Sequence, residues 1–304
     1  MAGSGSFQFS NPRDRRRLYN GLLFISPWIA GFLIFRVYPF FASLYYSFTF
    51  YPVLRSPNWV GWDNYRNLFD DPRFLTSLGN SAYYAGLAVP LGAIVGILLA
   101  MLLNMRVRGL SVFRTIFFLP SITPVVATSI VWLWMYNPRS GVVNFILEQV
   151  GINGPAWLGD PDWSKPALIL MSLWGLGGAV VIYLASLQDV PKELLEASDL
   201  DGANARQKLW FVTIPMISPV ILFNVITGLI AAFQLFTQVH VMTDGTGSPA
   251  DSTLMMSIYL YQSAFEFFKM GYASAQAWVL FLIIVFFTLI LFRVSGRLVY
   301  YGGK

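Results

Sequence analysis

Six stretches of this chain run for more than twenty residues with almost no charge, at 18–41, 81–103, 115–136, 166–187, 217–242 and 271–292. Arg36 and His240 are the only Arg, Lys, His, Asp or Glu within them. A run of about 18 apolar residues marks a membrane-spanning helix, because hydrocarbon offers backbone N–H and C=O groups no partner outside their own helix. Membrane β-strands would instead appear as alternating segments of about ten residues, and none are visible. Charged residues make up 12% of the chain, about half the fraction of a soluble domain. The predicted fold is an all-α polytopic membrane protein with about six transmembrane helices.

The side chains exclude most enzyme chemistries. The chain has no cysteine, so neither a disulfide framework nor a thiolate metal site can form, and a single histidine builds no cluster. No GxSxG, HExxH or GxxxxGK[ST] pattern occurs. The basic cluster Arg13, Arg15, Arg16 and Arg17 precedes an apolar run longer than a signal peptide's, without a small-residue cleavage site, which reads as a retained first span.

Lysine and arginine orient such a protein, since connections on the cytoplasmic side are enriched in them. The N-terminal cluster falls on the same side as Arg106, Arg108 and Arg114, then Lys192, Arg206 and Lys208, then Arg293, Arg297 and Lys304. The opposite side holds fewer: Arg36, Arg55, Arg66, Arg73, Arg139, Lys165 and Lys269. Both termini are therefore expected in the cytoplasm. Residues 1–17 form a basic cytoplasmic segment and 18–304 the transmembrane domain. The segment 252–268 is apolar enough for a seventh span, but a crossing there would put the basic tail outside. An amphipathic or re-entrant segment on the outer side is expected instead. The outer connections "NWVGWDNYRNLF" and "GPAWLGDPDW" are rich in aromatics. They read either as an interfacial belt or as a contact surface for an external partner.

One connection, 189–216, is almost soluble in character. Pro191 fits a first helical turn. The segment "PKELLEASDL" puts Pro191, Leu194, Leu195 and Ser198 on one face and Lys192, Glu193, Glu196 and Asp199 on the other. Gly202 stops that helix, "ANARQKLWFV" restarts one, and Pro215 and Pro219 set the start of the fifth span. Glu196-Ala197-Ser198, three residues, Gly202, nine residues, then Val212-Thr213-Ile214-Pro215 resembles the EAA motif, EAA-x3-G-x9-I-x-L-P, of membrane subunits of binding-protein-dependent ABC importers. Ser198, Val212 and Ile214 depart from it, each by a small or isosteric change. "FRVYPFFASLYYSF", "FRTIFFLPSITPVV" and "MTDGTGSPADST" are similar to the carbohydrate-uptake branch, the maltose and glycerol-phosphate type.

The resemblance implies a type I transmembrane-domain architecture in a bacterial or archaeal cell membrane. It implies that the 189–216 elbow docks into a groove on a cytoplasmic ATPase, with Glu196 facing a basic residue there and Gly202 making the turn. The implied partners are a second homologous permease, two ATPase subunits, an extracytoplasmic solute-binding protein and a sugar. ATP and Mg would be held by the ATPases, leaving no cofactor in this chain, and nucleic acid is not an expected partner.

The residues themselves agree on the source of energy. Ion-coupled carriers usually place ionisable side chains inside their spans. Here Arg36 and His240 lie near outer ends, where a side chain reaches the interface. The fifth span carries Asn224, Thr227, Ala231, Gln234 and Gln238 at intervals of 3, 4, 3 and 4, one helical face. Such a stripe either lines a sugar path or binds packed helices together. Pro120 and Pro124 echo Pro215 and Pro219, each pair marking a hinge or a static kink. Transport of glycerol phosphate or another polar solute, an ion-coupled carrier and a membrane scaffold remain alternatives. Phosphate would favour an Arg or Lys in the cavity, and the spans offer none.

Overall fold

The computed structural model describes residues 12–105 and 108–299. Arg106 and Lys304, counted above on the cytoplasmic side, lie outside them, as does most of the predicted basic N-terminal segment. The first span starts earlier than predicted. Helix α1 (Pro12–Phe32) continues through a π turn at Leu33–Val37 into α2 (Tyr38–Ser47). Pro27 cannot donate to the Leu23 carbonyl, and the Ser26 hydroxyl donates to it instead at 2.8 Å.

A short hairpin, β1 (Thr49–Phe50) against β2 (Asn58–Trp59), and α3 (Asp63–Phe69) lead into α4 (Pro72–Asn104). This helix is the centre of the bundle. Its buried face repeats small residues, Ser77, Ser81, Ala85, Ala88, Gly92, Gly96 and Ala100. In a membrane, where apolar surface gains nothing by leaving lipid, close backbone approach through small residues drives packing. A β-carbon at Gly96 would stand 3.1 Å from the Tyr183 ring.

The third span is not one helix. α5 (Leu110–Ile122) and α6 (Val125–Met135) meet at 102°. Thr123 is extended, with ψ 134°, because a residue preceding proline is disfavoured in the helical region. This corrects the continuous span expected over 115–136. After α7 (Val142–Gln149), the fourth span is bent as well, by 50° between α8 (Pro161–Trp174) and α9 (Gly177–Gln188). A β-carbon at Gly177 would stand 2.8 Å from the Phe117 carbonyl oxygen, so the glycine lets α9 lie against α5.

The elbow contains α10 (Lys192–Leu200) and α11 (Ala205–Lys208). A π turn at Leu209–Thr213 carries α11 directly into α12 (Ile214–Phe233). Pro215 sits in the first turn of α12, and the Ser218 hydroxyl donates at 2.6 Å to the Pro215 carbonyl that Pro219 cannot reach. The two proline pairs thus echo one another in sequence only: one breaks a span and the other is absorbed.

Then come α13 (Thr237–Thr243), α14 (Met256–Tyr261) with a π turn at Gln262–Glu266, and α15 (Met270–Leu298). The helical part of 252–268 reaches about 16 Å at 1.5 Å per residue, roughly half a bilayer core. It is no seventh span. Nor does it lie on a surface: Met256, Ile258, Tyr259, Gln262 and Ser263 are buried. Its leading loop is tied to α4, where Asn80 donates to the carbonyls of Asp251 at 2.7 Å and Leu254 at 3.1 Å. Arg73 also pairs with Asp251 at 3.2 Å. Among the described residues four helices are long and apolar enough to cross a membrane, or six if each bent pair forms one span.

Candidate functional site

The elbow is closed by two capping motifs back to back. At the end of α10, Ala203 N–H donates to the Ser198 carbonyl at 2.9 Å and Gly202 N–H to the Asp199 carbonyl at 3.1 Å. With Gly202 at φ 74° this is a Schellman ending, which satisfies carbonyls that the helix leaves open. Asn204 then starts α11 with a reciprocal capping box, its side chain accepting from Gln207 N–H and its own N–H donating to the Gln207 side chain. Lys208 pairs with Asp199 across the turn. Pro191 lies one position before α10, as its N-cap.

The predicted faces of α10 hold in part. Leu195 packs against a core formed by Ala100, Tyr183, Leu187 and Ile217, and Ile214 joins the same core. Ser198 is half-buried, whereas Pro191 and Leu194 are exposed. Glu196 and Ala197 face solvent, and Leu200 beside them is 90% exposed. Ser198, Gly202 and Val212 converge on a cleft of about 320 Å³ behind the turn. Pro215 begins the helix beyond. The motif residues therefore divide between an outer surface, a cleft and an anchor in the bundle.

Two cavities lie within the bundle. One of about 390 Å³ is lined by Asn224, Thr227, Ala231 and Gln238; a second, of about 250 Å³, includes Ser121, Thr128 and Gln238. Tyr84, Ser172, Leu235 and Gln238 border both, and among the described residues no charged one lines either. Asn224 donates to the Val220 carbonyl at 3.0 Å and Thr227 to the Phe223 carbonyl at 2.9 Å. Their remaining lone pairs are free to accept from a hydroxylated solute.

The single five-residue stripe needs correction. α12 stops at Phe233 and α13 starts at Thr237, so helical phase is lost in between. Gln234 caps α12 and lines a separate apolar groove with Leu280 and Ile284. Gln238 returns to the cavity only because the chain bends. Sequence reasoning missed Tyr84 and Ser172, which carry no signal distinguishing them from other hydroxyl residues in the spans. Cysteines introduced at 224, 227 and 238 are expected to react with a small aqueous thiol reagent at least tenfold faster than one at Leu282, which is 57% exposed on a membrane-spanning helix. Equal protection at all of them would reduce the stripe to helix packing.

Among the described residues no three His, Asp or Glu converge to hold a metal. His240 is stacked on Phe236, with ring centroids 5.0 Å apart.

Residues 89–300 match the family of binding-protein-dependent transport system inner membrane components. The chain belongs to this family. The match runs from within α4 to the end of the chain's described part and includes the elbow and most of the lining of both cavities, though not Tyr84. The permease is 40% identical to the probable ABC transporter permease protein YesP of Bacillus subtilis, over 100% of this chain and 99% of that protein. It is 38% identical to the lactose transport system permease protein LacF of Rhizobium radiobacter, over 87% and 90%. Its fold matches a chain of the bacterial alginate ABC transporter crystallised in complex with alginate pentasaccharide-bound periplasmic protein. The TM-score is 0.81 at 23% identity, covering 96% of this chain and 99% of that one. The expected all-α type I transmembrane architecture is borne out.

Proposed function

We propose that this permease forms half of the translocation pathway for a sugar or oligosaccharide and is driven through its 189–216 elbow by a cytoplasmic ATPase. The observation carrying this reading is mechanical. An exposed helix bearing Glu196 is joined by a Schellman turn to a helix continuous with α12, and Leu195 and Ile214 root both arms in one core. A force on Glu196 and its neighbours would reach α4, α9 and α12, which wall the larger cavity. Such a force moves the cavity only if the ATPase binds its two states unequally.

Support for a sugar comes from the lactose relative, from the alginate neighbour and from neutral cavity walls that offer hydrogen-bond acceptors. Support for a second permease comes from the first span, whose most apolar window is 0% buried. A solute-binding protein fits the family's description and the periplasmic protein of the alginate complex. The basic connections support a cytoplasmic location for both termini and the elbow, with ATP and Mg held by the ATPases.

Purified alone, the permease is expected to hydrolyse no ATP and to accumulate no lactose in liposomes under an imposed proton or sodium gradient. Reconstituted with its ATPases and binding protein, it is expected to accumulate sugar when ATP is supplied. Gradient-driven accumulation by the single chain would replace this reading with an ion-coupled carrier.

A further inference from the structure

The largest of the cavities described here lies away from the path between the spans. It opens where the hairpin, α3 and the start of α15 meet, and encloses about 600 Å³, within the range of small-molecule sites. Its wall includes Asn67, Asp71, Ser263, Phe267 and Phe268.

Three features of that wall bear on what it could hold. Ser263 is 1% exposed and its hydroxyl has no hydrogen-bond partner among the described residues, which is uncommon for a buried polar group. Asp71 accepts from the Tyr259 hydroxyl at 2.5 Å and the Tyr272 hydroxyl at 2.7 Å. Burial raises its carboxyl pKa, but these bonds and the backbone N–H groups of Arg73 and Phe74 outweigh that and hold it below the usual range. The third feature is Phe268. It sits at φ 53° just beyond the π turn, where Lys269 N–H closes onto the Ser263 carbonyl at 2.8 Å. That position favours glycine, and strain of this kind persists where surrounding structure or function demands it. The result is a half-exposed ring at the cavity, with Phe50 and Phe267 also exposed at 56% and 45%.

We propose that this cavity is a second saccharide site, a vestibule separate from the cavities between the spans; the proposal rests on the sugar reading above. A pyranose ring has an apolar C–H face and a hydroxyl edge. Open aromatic faces suit the first. An ionised carboxylate at Asp71 and the Asn67 amide suit the second.

The test uses the assembled importer in nanodiscs without its binding protein, read by saturation-transfer NMR with lactose, maltotriose and an alginate trisaccharide. At least one sugar is expected to give a signal that falls about fivefold or more in Phe268→Gly and Asn67→Trp and persists in Gln238→Ala. Glycine is sterically free at φ 53°, so Phe268→Gly removes the ring without backbone strain, and an unchanged melting temperature verifies the fold. No signal from any sugar, or a signal lost only in Gln238→Ala, overturns the vestibule. Weaker capture of the binding protein by Asn67→Trp with no sugar signal assigns the cavity to protein docking and also overturns it. ATP-driven uptake measured in parallel separates the two readings. Wild-type accumulation without a vestibule signal removes only the second site, whereas absence of uptake of every sugar removes the transport reading itself.

Discussion

Replacing Glu196 with lysine is expected to abolish ATP-driven uptake while leaving the permease folded. Glu196 is exposed on α10 and makes no ion pair within the described residues, so its loss removes nothing from the bundle. In the proposed docking it faces a basic groove on the ATPase. Charge reversal there puts like charges together, which costs several kcal/mol at an interface, and each 1.4 kcal/mol is about tenfold in binding. Co-purified ATPase and sugar-stimulated hydrolysis should fall at least tenfold, with an unchanged elution profile and melting temperature. Glu196→Gln should retain part of both. Normal coupling in the lysine variant would remove Glu196 from the interface.

Gly202→Val should uncouple the machine by a different route, through the backbone. At φ 74° a β-branched residue is strongly disfavoured, and the left-handed conformation costs an ordinary residue on the order of 1–2 kcal/mol. No atom stands within 4 Å of a β-carbon placed there, so the effect is conformational rather than a clash. The Schellman turn would open, releasing Ala203 from Ser198 and displacing α10 from the axis of α12. Uptake should drop about tenfold, on the scale that this strain sets. Gly202→Asn, better tolerated in the left-handed region, should drop far less. Equal activity of valine and asparagine variants would show that the turn's geometry is unimportant for coupling.

The site was legible in unequal measure. Most of the elbow could be read, because its signals are local: a glycine after a short amphipathic helix and prolines at the next helix start. Each determines dihedrals or hydrogen bonds within a few residues. Leu194 was misassigned because periodicity gives a helix its faces without saying which neighbour covers them. The cavity was legible only as a tendency toward neutral polar residues on the fifth span. Tyr84 and Ser172 come from the second and fourth spans, and nothing in a linear pattern says that they share a wall with Gln238.

The sequence alone determined that this chain spans a membrane, because water-free hydrocarbon leaves uncharged runs of this length no other stable form. It also determined the elbow, whose turn chemistry is local. Tertiary structure decided the rest. Thr123 before Pro124 permits a break, but the 102° between the two half-helices, and the close approach of α9 to α5 at Gly177, belong to the packing and not to the sequence pattern. Likewise 252–268 is apolar enough to cross, yet Asn80, Ser81 and Arg73 on α4 hold it and its leading loop inside the protein. Apolar residues are satisfied equally by lipid and by protein, so composition cannot choose between the two. Only the hydrogen bonds available at a particular place make that choice.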